Sequence, residues 1–537
     1  MTAIPSGRRD ELLLLGAILM LLATFRLSLD SGLGPYGVDG SYYVQIARNL
    51  TEGRGLVTSV SLYHQGLDPL PAPTNIYPAW PVLLGAAARI VGLTEAVRHL
   101  PRLLYFMALG ALYLVVRRIS PDQQRIAGPL TVAHLSVLLM GLTPVFFSST
   151  TYPYTEGLGL TFASITLLTA FRTGWLAALG GGMLAGLATL TRSQMLLLVL
   201  AILVVRAYEA LREGRWKNLV LSAIGVALVL VPWLAYVSTF TGSFALRHLH
   251  VSYQQTAAIA PYSMGMPTQG RLDLWLLRLQ GVVTALNPFS PHSFVALYGA
   301  AALLVPIALA HWLHRALRSR VGVSAGVLAV AFSGTFLAGM LVLLPQRYFR
   351  PWLFGWRHGL PFIFLIILAL VELIGHGNRY VRVGAIAIAF VSILSGGVTV
   401  TRTVLAGSPV GLTRAEAELT TWLERQPPSV VVLTTNAQSL SVYTHANFRW
   451  VACDDSAQVT ESILRNVRTD YVAVYERESE CAFGNGLAHL VQREAVFGVE
   501  PNRILLLRRR PGVGPAGSTD DRGGDPHRPP EQPQNPR

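Results

Sequence analysis

Apolar runs close to the thickness of a bilayer recur from residue 12 to residue 400, and they constrain the fold more than any single residue does. A helix needs about 20 apolar residues to cross the hydrocarbon core. Backbone amides must be satisfied internally there, so helices or a closed barrel are the available solutions. By that ruler the chain reads as about eleven helical spans, at 12–29, 101–116, 126–147, 156–171, 175–190, 193–205, 218–236, 294–312, 323–344, 360–374 and 383–400. The expected fold class is mainly α, a polytopic membrane bundle of about 11 spans with interfacial helices in the first outer loop and a small C-terminal α/β domain. Composition agrees. The chain is 52% hydrophobic and 13% charged, whereas soluble domains carry about 25% charged residues.

Basic residues set the expected orientation. The segment 78–92 is apolar but short and is interrupted by Arg89, so it reads as an interfacial helix. With that reading, Arg8 and Arg9, Arg117 with Arg118 and Arg125, Arg206 with Arg212, and Arg379 with Arg382 fall on one side. The positive-inside rule makes that side cytoplasmic. The first span reads as a retained signal anchor, because no small-residue cleavage site follows it. The expected location is the cytoplasmic membrane, multi-pass, with the N-terminus inside and the C-terminal domain outside. The net charge of +14 is then orientation, and nucleic acid is excluded as a partner. Residues 1–410 form the expected catalytic membrane part, with a first outer loop at 30–100. Residues 411–510 carry short β-rich runs at 429–434 and 471–475 between helical patterns, as an extracytoplasmic α/β domain would. Residues 511–537, rich in Pro, Gly and charge, read as a disordered tail. Cys453 and Cys481 form no C-x-x-C motif, but on the outer side they could form a disulfide.

On the outer side, acids near the membrane are sparse. Asp39 precedes a helical pattern at 41–50, where it could cap the helix or act as a general base toward an acceptor hydroxyl. Glu156 heads the span 156–171, an expensive place for an acid unless it faces a cavity or a partner. Asp39 and Glu156 are also the candidates for holding a divalent metal. Arg347, Arg350 and Arg357, followed by His358, lie against the orientation rule, which a bound phosphate would explain. Their alternative is snorkelling toward lipid headgroups. Trp352, Phe354 and Trp356 among them read as an aromatic belt. Tyr42, Tyr43, Tyr77 and His64 are candidates for positioning donor or acceptor. His99 is a lone histidine, more often structural than a ligand. Asp454, Asp455 and the acidic residues at 478–480 read as solvated turns. No nucleophile elbow, P-loop, dinucleotide fingerprint or zinc-protease helix is present.

Several stretches occur in a telling order: Asp39-Gly40-Ser41-Tyr42-Tyr43, Tyr77-Pro78, Arg102-Leu103, Glu156-Gly157-Leu158, Leu190-Thr191-Arg192, Pro232-Trp233 and Arg357-His358-Gly359-Leu360-Pro361. Together with the topology they resemble the GT-C superfamily of membrane glycosyltransferases, nearest to bacterial relatives of the protein O-mannosyltransferases and of the lipid A aminoarabinose transferase. The resemblance implies a polyprenyl-phosphate-linked sugar donor, a lipid, glycan or protein acceptor, and work at the outer membrane face. It implies that Asp39 is the catalytic base, that Glu156 is the family's acid at the head of the fourth span, and that Arg357 contacts the donor phosphate. Gly40 stands where many relatives carry a second acid, Ala79 where many carry a second proline, and His358 where many carry tyrosine. The expected function is an inverting hexosyl- or pentosyltransferase. A transporter or lipid flippase, and an inactive relative that binds glycan or a partner, are the competing expectations.

Overall fold

The structure is a computed structural model that describes residues 6–29, 37–61, 69–74, 76–119, 125–172, 174–192, 195–241, 307–308, 310, 360–407, 411–451, 457–476, 487–500 and 502–513. Arg347, Arg350, Arg357, His358, His64, Cys453, Cys481, Asp454 and Asp455 lie outside the described residues. So do the expected span 323–344, most of 294–312 and the tail beyond 513.

The described chain divides into two compact units. The first runs from the N-terminus to Leu412, without Ser59–Ala72. Its helices are α1 (Ser6–Leu27), α2 (Gly37–Thr51), α3 (Ala79–Val91), α4 (Leu93–Ile119), α5 (Val132–Gly141), α6 (Pro144–Ser149), α7 (Glu156–Ala170), α8 (Trp175–Thr189), α9 (Leu196–Glu213), α10 (Trp216–Thr241), α11 (Leu360–His376) and α12 (Arg379–Ala406). Three helices among the described residues are long and apolar enough to cross a membrane: Leu93–Ile119, Trp216–Phe240 and Arg379–Ala406. At 1.5 Å per residue the 27 residues of α4 extend about 40 Å, beyond the roughly 30 Å of hydrocarbon. The segment 78–92 forms the 13-residue α3, about 20 Å long and too short to cross. Gly92, at φ 85°, closes it and lets the chain turn directly into α4.

The expected span over 126–147 is interrupted. A two-stranded ribbon, Arg125–Ala127 with Leu130–Thr131, precedes α5, and the helix ends at Gly141. Thr143 is extended and Pro144 opens α6, where a missing N–H costs nothing. The expected spans 156–171 and 175–190 are 15-residue helices, α7 and α8. The main apolar cluster of this unit draws on α1, α4, α5, α6, α7, α8, α9, α11 and α12, and a smaller one gathers around Leu230, Trp233 and Val237 of α10.

Helices α8 and α10 approach closely because small residues meet at their interface. A Cβ added at Gly182 would run into the backbone carbonyl of Ser222, and one at Gly225 would meet Leu179 and the Met183 nitrogen. Ser222 Oγ donates to the Ala178 carbonyl at 2.9 Å. Such close backbone approach is how helices associate in lipid, where apolar surface alone gives no preference. Gly182→Ala is therefore expected to destabilise the unit by about 1–3 kcal/mol through overpacking. Gly180 has open space around its Cβ direction, so Gly180→Ala should be neutral or stabilising by up to about 1 kcal/mol. Denaturant titration of the two variants in detergent checks the contrast.

The second unit holds Ser59–Ala72 and the chain from Thr413 onward. Its strands are β1 (Val60–Ser61), β2 (Val431–Thr434), β3 (Asn447–Trp450), β4 (Tyr471–Tyr475), β5 (Val491–Phe497) and β6 (Ile504–Arg509). They form a six-stranded sheet in the order β1-β3-β2-β4-β6-β5. The pairs β1–β3, β2–β3 and β2–β4 are parallel, and β4–β6 and β6–β5 are antiparallel. Every residue of β2 is buried, the continuous apolar pattern of a strand covered on both faces. The helices α13 (Arg414–Glu424), α14 (Ala437–Leu440) and α15 (Ala457–Asn466) belong to this unit. A capping box, Thr413 with Glu416, starts α13. Glu416 also accepts from Asn436 Nδ2 at 2.7 Å and from Tyr475 Oη at 3.0 Å, which ties the helix to the ends of β2 and β4.

Candidate functional site

Helix α2 begins at Gly37, four residues earlier than the sequence pattern suggests, so Asp39 lies within its first turn. There a carboxylate complements the positive end of the helix dipole. The side chain is half-buried and engaged in polar interactions. The rest of the helix is held rigidly. Tyr42 and Tyr43 are buried, and Tyr42 Oη lies 3.5 Å from Thr74 Oγ1. Gln45 Nε2 donates to Thr58 Oγ1 at 3.0 Å, and Asn49 Nδ2 donates to the Val57 carbonyl at 3.0 Å. On the other side, Gly85 of α3 allows a close approach, since a Cβ there would lie 3.3 Å from the Ala47 carbonyl.

Helix α3 is fixed in turn. Tyr77, just before it, is buried. Trp80 is fully buried and its Nε1 donates to the Pro153 carbonyl at 2.6 Å. The Ala79 amide donates to the Leu190 carbonyl at 3.0 Å. The start of α3 thus joins the loop before α7 to the end of α8.

Glu156 stands in the first turn of α7, 2% exposed, and forms an ion pair with Arg192, whose side chain is 13% exposed. The acid that sequence reasoning found costly at the head of an apolar helix faces a cation just beyond α8. An ion pair of this kind fixes the carboxylate in place. Two more guanidinium groups lie in the N-terminal half of α4 and in the last turn of α1. Arg102 Nη2 donates to the Leu29 carbonyl at 2.7 Å. Arg26, fully buried, donates from Nη2 to the Thr150 carbonyl and lies 5.8 Å over the Phe147 ring. Gly157 packs against both Thr150 and Leu104, at 3.2 and 3.3 Å for an added Cβ, so these groups neighbour the head of α7.

Sequence reasoning quoted Arg192 and Arg102 only as parts of motifs and gave them no role. It passed over Arg26, which is hidden in a run scored as apolar. The signal was present: an arginine inside a candidate span is rarely there without a function. His99 contacts Glu95 at 3.0 Å one turn away on an exposed face.

Among the described residues no group of three or more His, Cys, Asp or Glu side chains is placed to hold a metal ion. Gly40 follows Asp39, and Glu156 is engaged by a cation.

No protein-family model matches the chain, and no curated protein matches it in sequence. Solved structures do match in shape. The archaeal oligosaccharyltransferase AglB from Archaeoglobus fulgidus, solved with an inhibitory peptide and a dolichol-phosphate, aligns with a TM-score of 0.54 at 13% identity, over 91% of this chain and 74% of that one. The arabinofuranosyltransferase AftD from Mycobacteria aligns with a TM-score of 0.50 at 13% identity over 94% of this chain, which spans 42% of AftD. ArnT from Cupriavidus metallidurans, solved with undecaprenyl phosphate, gives 0.47 at 14% identity over 94% of this chain and 98% of that one. At such identities the likeness concerns the fold alone, and what it establishes is that this chain shares the fold of AglB and of the part of AftD that it spans.

Proposed function

We propose that the chain is a glycosyltransferase that moves a sugar from a polyprenyl-phosphate-linked donor to a hydroxyl acceptor at the outer face of the cytoplasmic membrane. The observation that carries the reading is Asp39. It is a half-buried acid in the first turn of α2, directly after the first long helix, in a chain with the fold of AglB and AftD. AglB, solved with a dolichol-phosphate and a peptide, supports the kind of donor and one kind of acceptor. Lipid, glycan and protein acceptors all fit the reading.

In the mechanism, Asp39 accepts the proton of the acceptor hydroxyl as its oxygen bonds to the anomeric carbon. The bond from that carbon to the phosphate oxygen breaks, its electron pair leaves with the phosphate, and the anomeric centre inverts. The phosphate is a good leaving group and needs electrostatic stabilisation rather than a strong general acid. Arg357, with Arg347, Arg350 and His358, is the proposed clamp. Tyr42, Tyr43, Tyr77 and His64 are proposed to position donor and acceptor. The Glu156–Arg192 pair is proposed to keep the head of α7 in one arrangement beside them.

The test is a transfer assay on the purified full chain in nanodiscs, supplied with polyprenyl-phosphate hexoses and pentoses and followed by mass spectrometry of donor and product. Release of polyprenyl phosphate coupled to a glycosylated acceptor supports the reading. Movement of intact donor across the bilayer with no covalent change would replace it with the flippase. Cysteine labelling that put positions 39 and 357 on opposite faces would refute the shared site.

A further inference from the structure

We infer that two helix corners, one around Arg172 and Trp175 and the other around Arg212 and Trp216, together form a docking surface for anionic phospholipid headgroups. Both corners lie at one end of the bundle. Ser222 Oγ of α10 reaches the Ala178 carbonyl of α8, and Gly186, further along α8, packs against Val229, further along α10. The two helices therefore run in the same direction, and their first residues, Trp175 and Trp216, lie within about one turn of each other. Arg206 of α9 is fully buried and paired with Glu209. It donates to the Thr169 carbonyl at 3.1 Å, which brings the end of α9 to the end of α7. The corners repeat one design. Each carries an arginine (Arg172, Arg212), a glycine at positive φ (Gly174 at 125°, Gly214 at 68°) and a tryptophan that opens the next helix.

The surface is apolar and basic at once. Trp175 and Trp216 are 54% and 53% exposed, and Leu211 is 74% exposed. The acids at this end are engaged, Glu209 by Arg206 at 2.7 Å and Glu213 by Arg215 at 2.9 Å. Arg172, Arg212 and Lys217 are exposed and have no carboxylate partner among the described residues. The Arg212 guanidinium lies 5.5 Å over the Tyr208 ring, which orients it without neutralising it. Exposed indoles and cations at one level mark a headgroup boundary. Helix α10 is long and apolar enough to cross a membrane, and that span begins at Trp216. The corner therefore stands where hydrocarbon gives way to headgroups. An acidic soluble protein would match the charge but not the indoles at the mouth of a span. The arginines offer planar forks to phosphate oxygens, and Lys217 adds a point charge. A headgroup of net negative charge is favoured over phosphatidylcholine, whose phosphate carries its own counter-charge. Each cation near an anionic surface is worth roughly fivefold in partition. By the orientation that the basic residues predict, these lipids belong to the cytoplasmic leaflet. The surface goes beyond the proposed transferase and does not depend on it.

The experiment uses the full chain in nanodiscs of phosphatidylcholine mixed with phosphatidylglycerol. Native mass spectrometry counts the lipids of each kind retained as the disc is stripped away. The wild type should retain phosphatidylglycerol at least about tenfold above its share of the disc, and added salt should reduce that excess. Arg172→Gln, Arg212→Gln and Lys217→Gln combined should bring retention to within about twofold of the disc composition. Arg118→Gln, which removes an exposed cation in the last turn of α4, should leave the excess in place. Trp175→Ala with Trp216→Ala should lower retention of both lipids alike, since an indole reads depth rather than charge. Should the triple variant fail to fold, Lys217→Gln decides: it should lower the excess by about threefold or more, and an unchanged excess overturns the surface. Wild-type retention that follows the disc composition also overturns it, as does an excess kept by the folded triple variant or lost equally in Arg118→Gln. Displacement of phosphatidylglycerol by millimolar inorganic phosphate would make the corners a free-anion site and overturn the lipid reading. No excess in discs, with polyglutamate bound by the wild type and not by the triple variant, would give the corners to an acidic protein instead.

Discussion

Asp39→Asn should lower the rate of sugar transfer by roughly 10²–10⁴-fold, the usual worth of a general base, and leave donor affinity near wild type. The amide keeps the size and most hydrogen bonds of the carboxylate but cannot take the proton that leaves the acceptor. A group that acts only as the hydroxyl attacks lowers kcat and kcat/KM together without changing ground-state binding. The structural alternative makes a different forecast. Asp39 lies in the first turn of α2, where its charge is worth only about 0.3–1 kcal/mol to the helix. Losing that would shift stability slightly and rate hardly at all. Single-turnover transfer and thermal unfolding, measured on the same preparation, separate the two. A variant with wild-type turnover would reduce Asp39 to a helix-start acid and remove the mechanism.

Long apolar periodicity made α4, α10 and α12 legible, because a span needs only length and an absence of charge, and both can be counted along the chain. Strand β2 was legible for the related reason that Val431–Thr434 is a short, β-branched apolar run between turn residues. The break between α5 and α6 was less so. Pro144 announces it, but a hydropathy average over 126–147 smooths the proline away. What could not be read was whatever depends on distant partners. Val60 and Ser61 sit opposite Phe448 and Arg449 in a parallel ladder, and a two-residue strand has no periodicity to detect. The helix-start acid Glu156 was found, but its partner Arg192 is 36 residues away beyond a second helix, and no local rule pairs them. Arg26 was lost for the opposite reason: one cation among many apolar residues barely changes a mean. The acids and arginines near the site are therefore found by asking which charges break a local pattern. Their pairing emerges only once helices α1, α4, α7 and α8 are packed.

The Glu156–Arg192 pair supplies the second large effect. Both side chains are almost wholly removed from solvent, so neither charge is left to water when the other is deleted. Removing one partner of a buried pair costs about 3–5 kcal/mol, because the survivor remains uncompensated, whereas replacing both can be nearly neutral. Arg192→Leu should therefore destabilise the chain by about 3–5 kcal/mol. Glu156→Gln should cost less than Arg192→Leu, since an amide can still accept from the guanidinium while the arginine charge is left in place. The double variant Glu156→Gln with Arg192→Leu should recover part of the loss, giving a coupling of about 0.5–3 kcal/mol. Reversible unfolding in detergent across the four proteins measures this cycle. If the loss instead appears in transfer rate, with stability unchanged and no recovery in the double variant, Glu156 acts directly on the reacting groups and the ion pair is incidental. The same four proteins assayed for donor KM show whether positioning is at work: a pair that only holds the head of α7 in place should move KM and stability together, and the double variant should bring both back together.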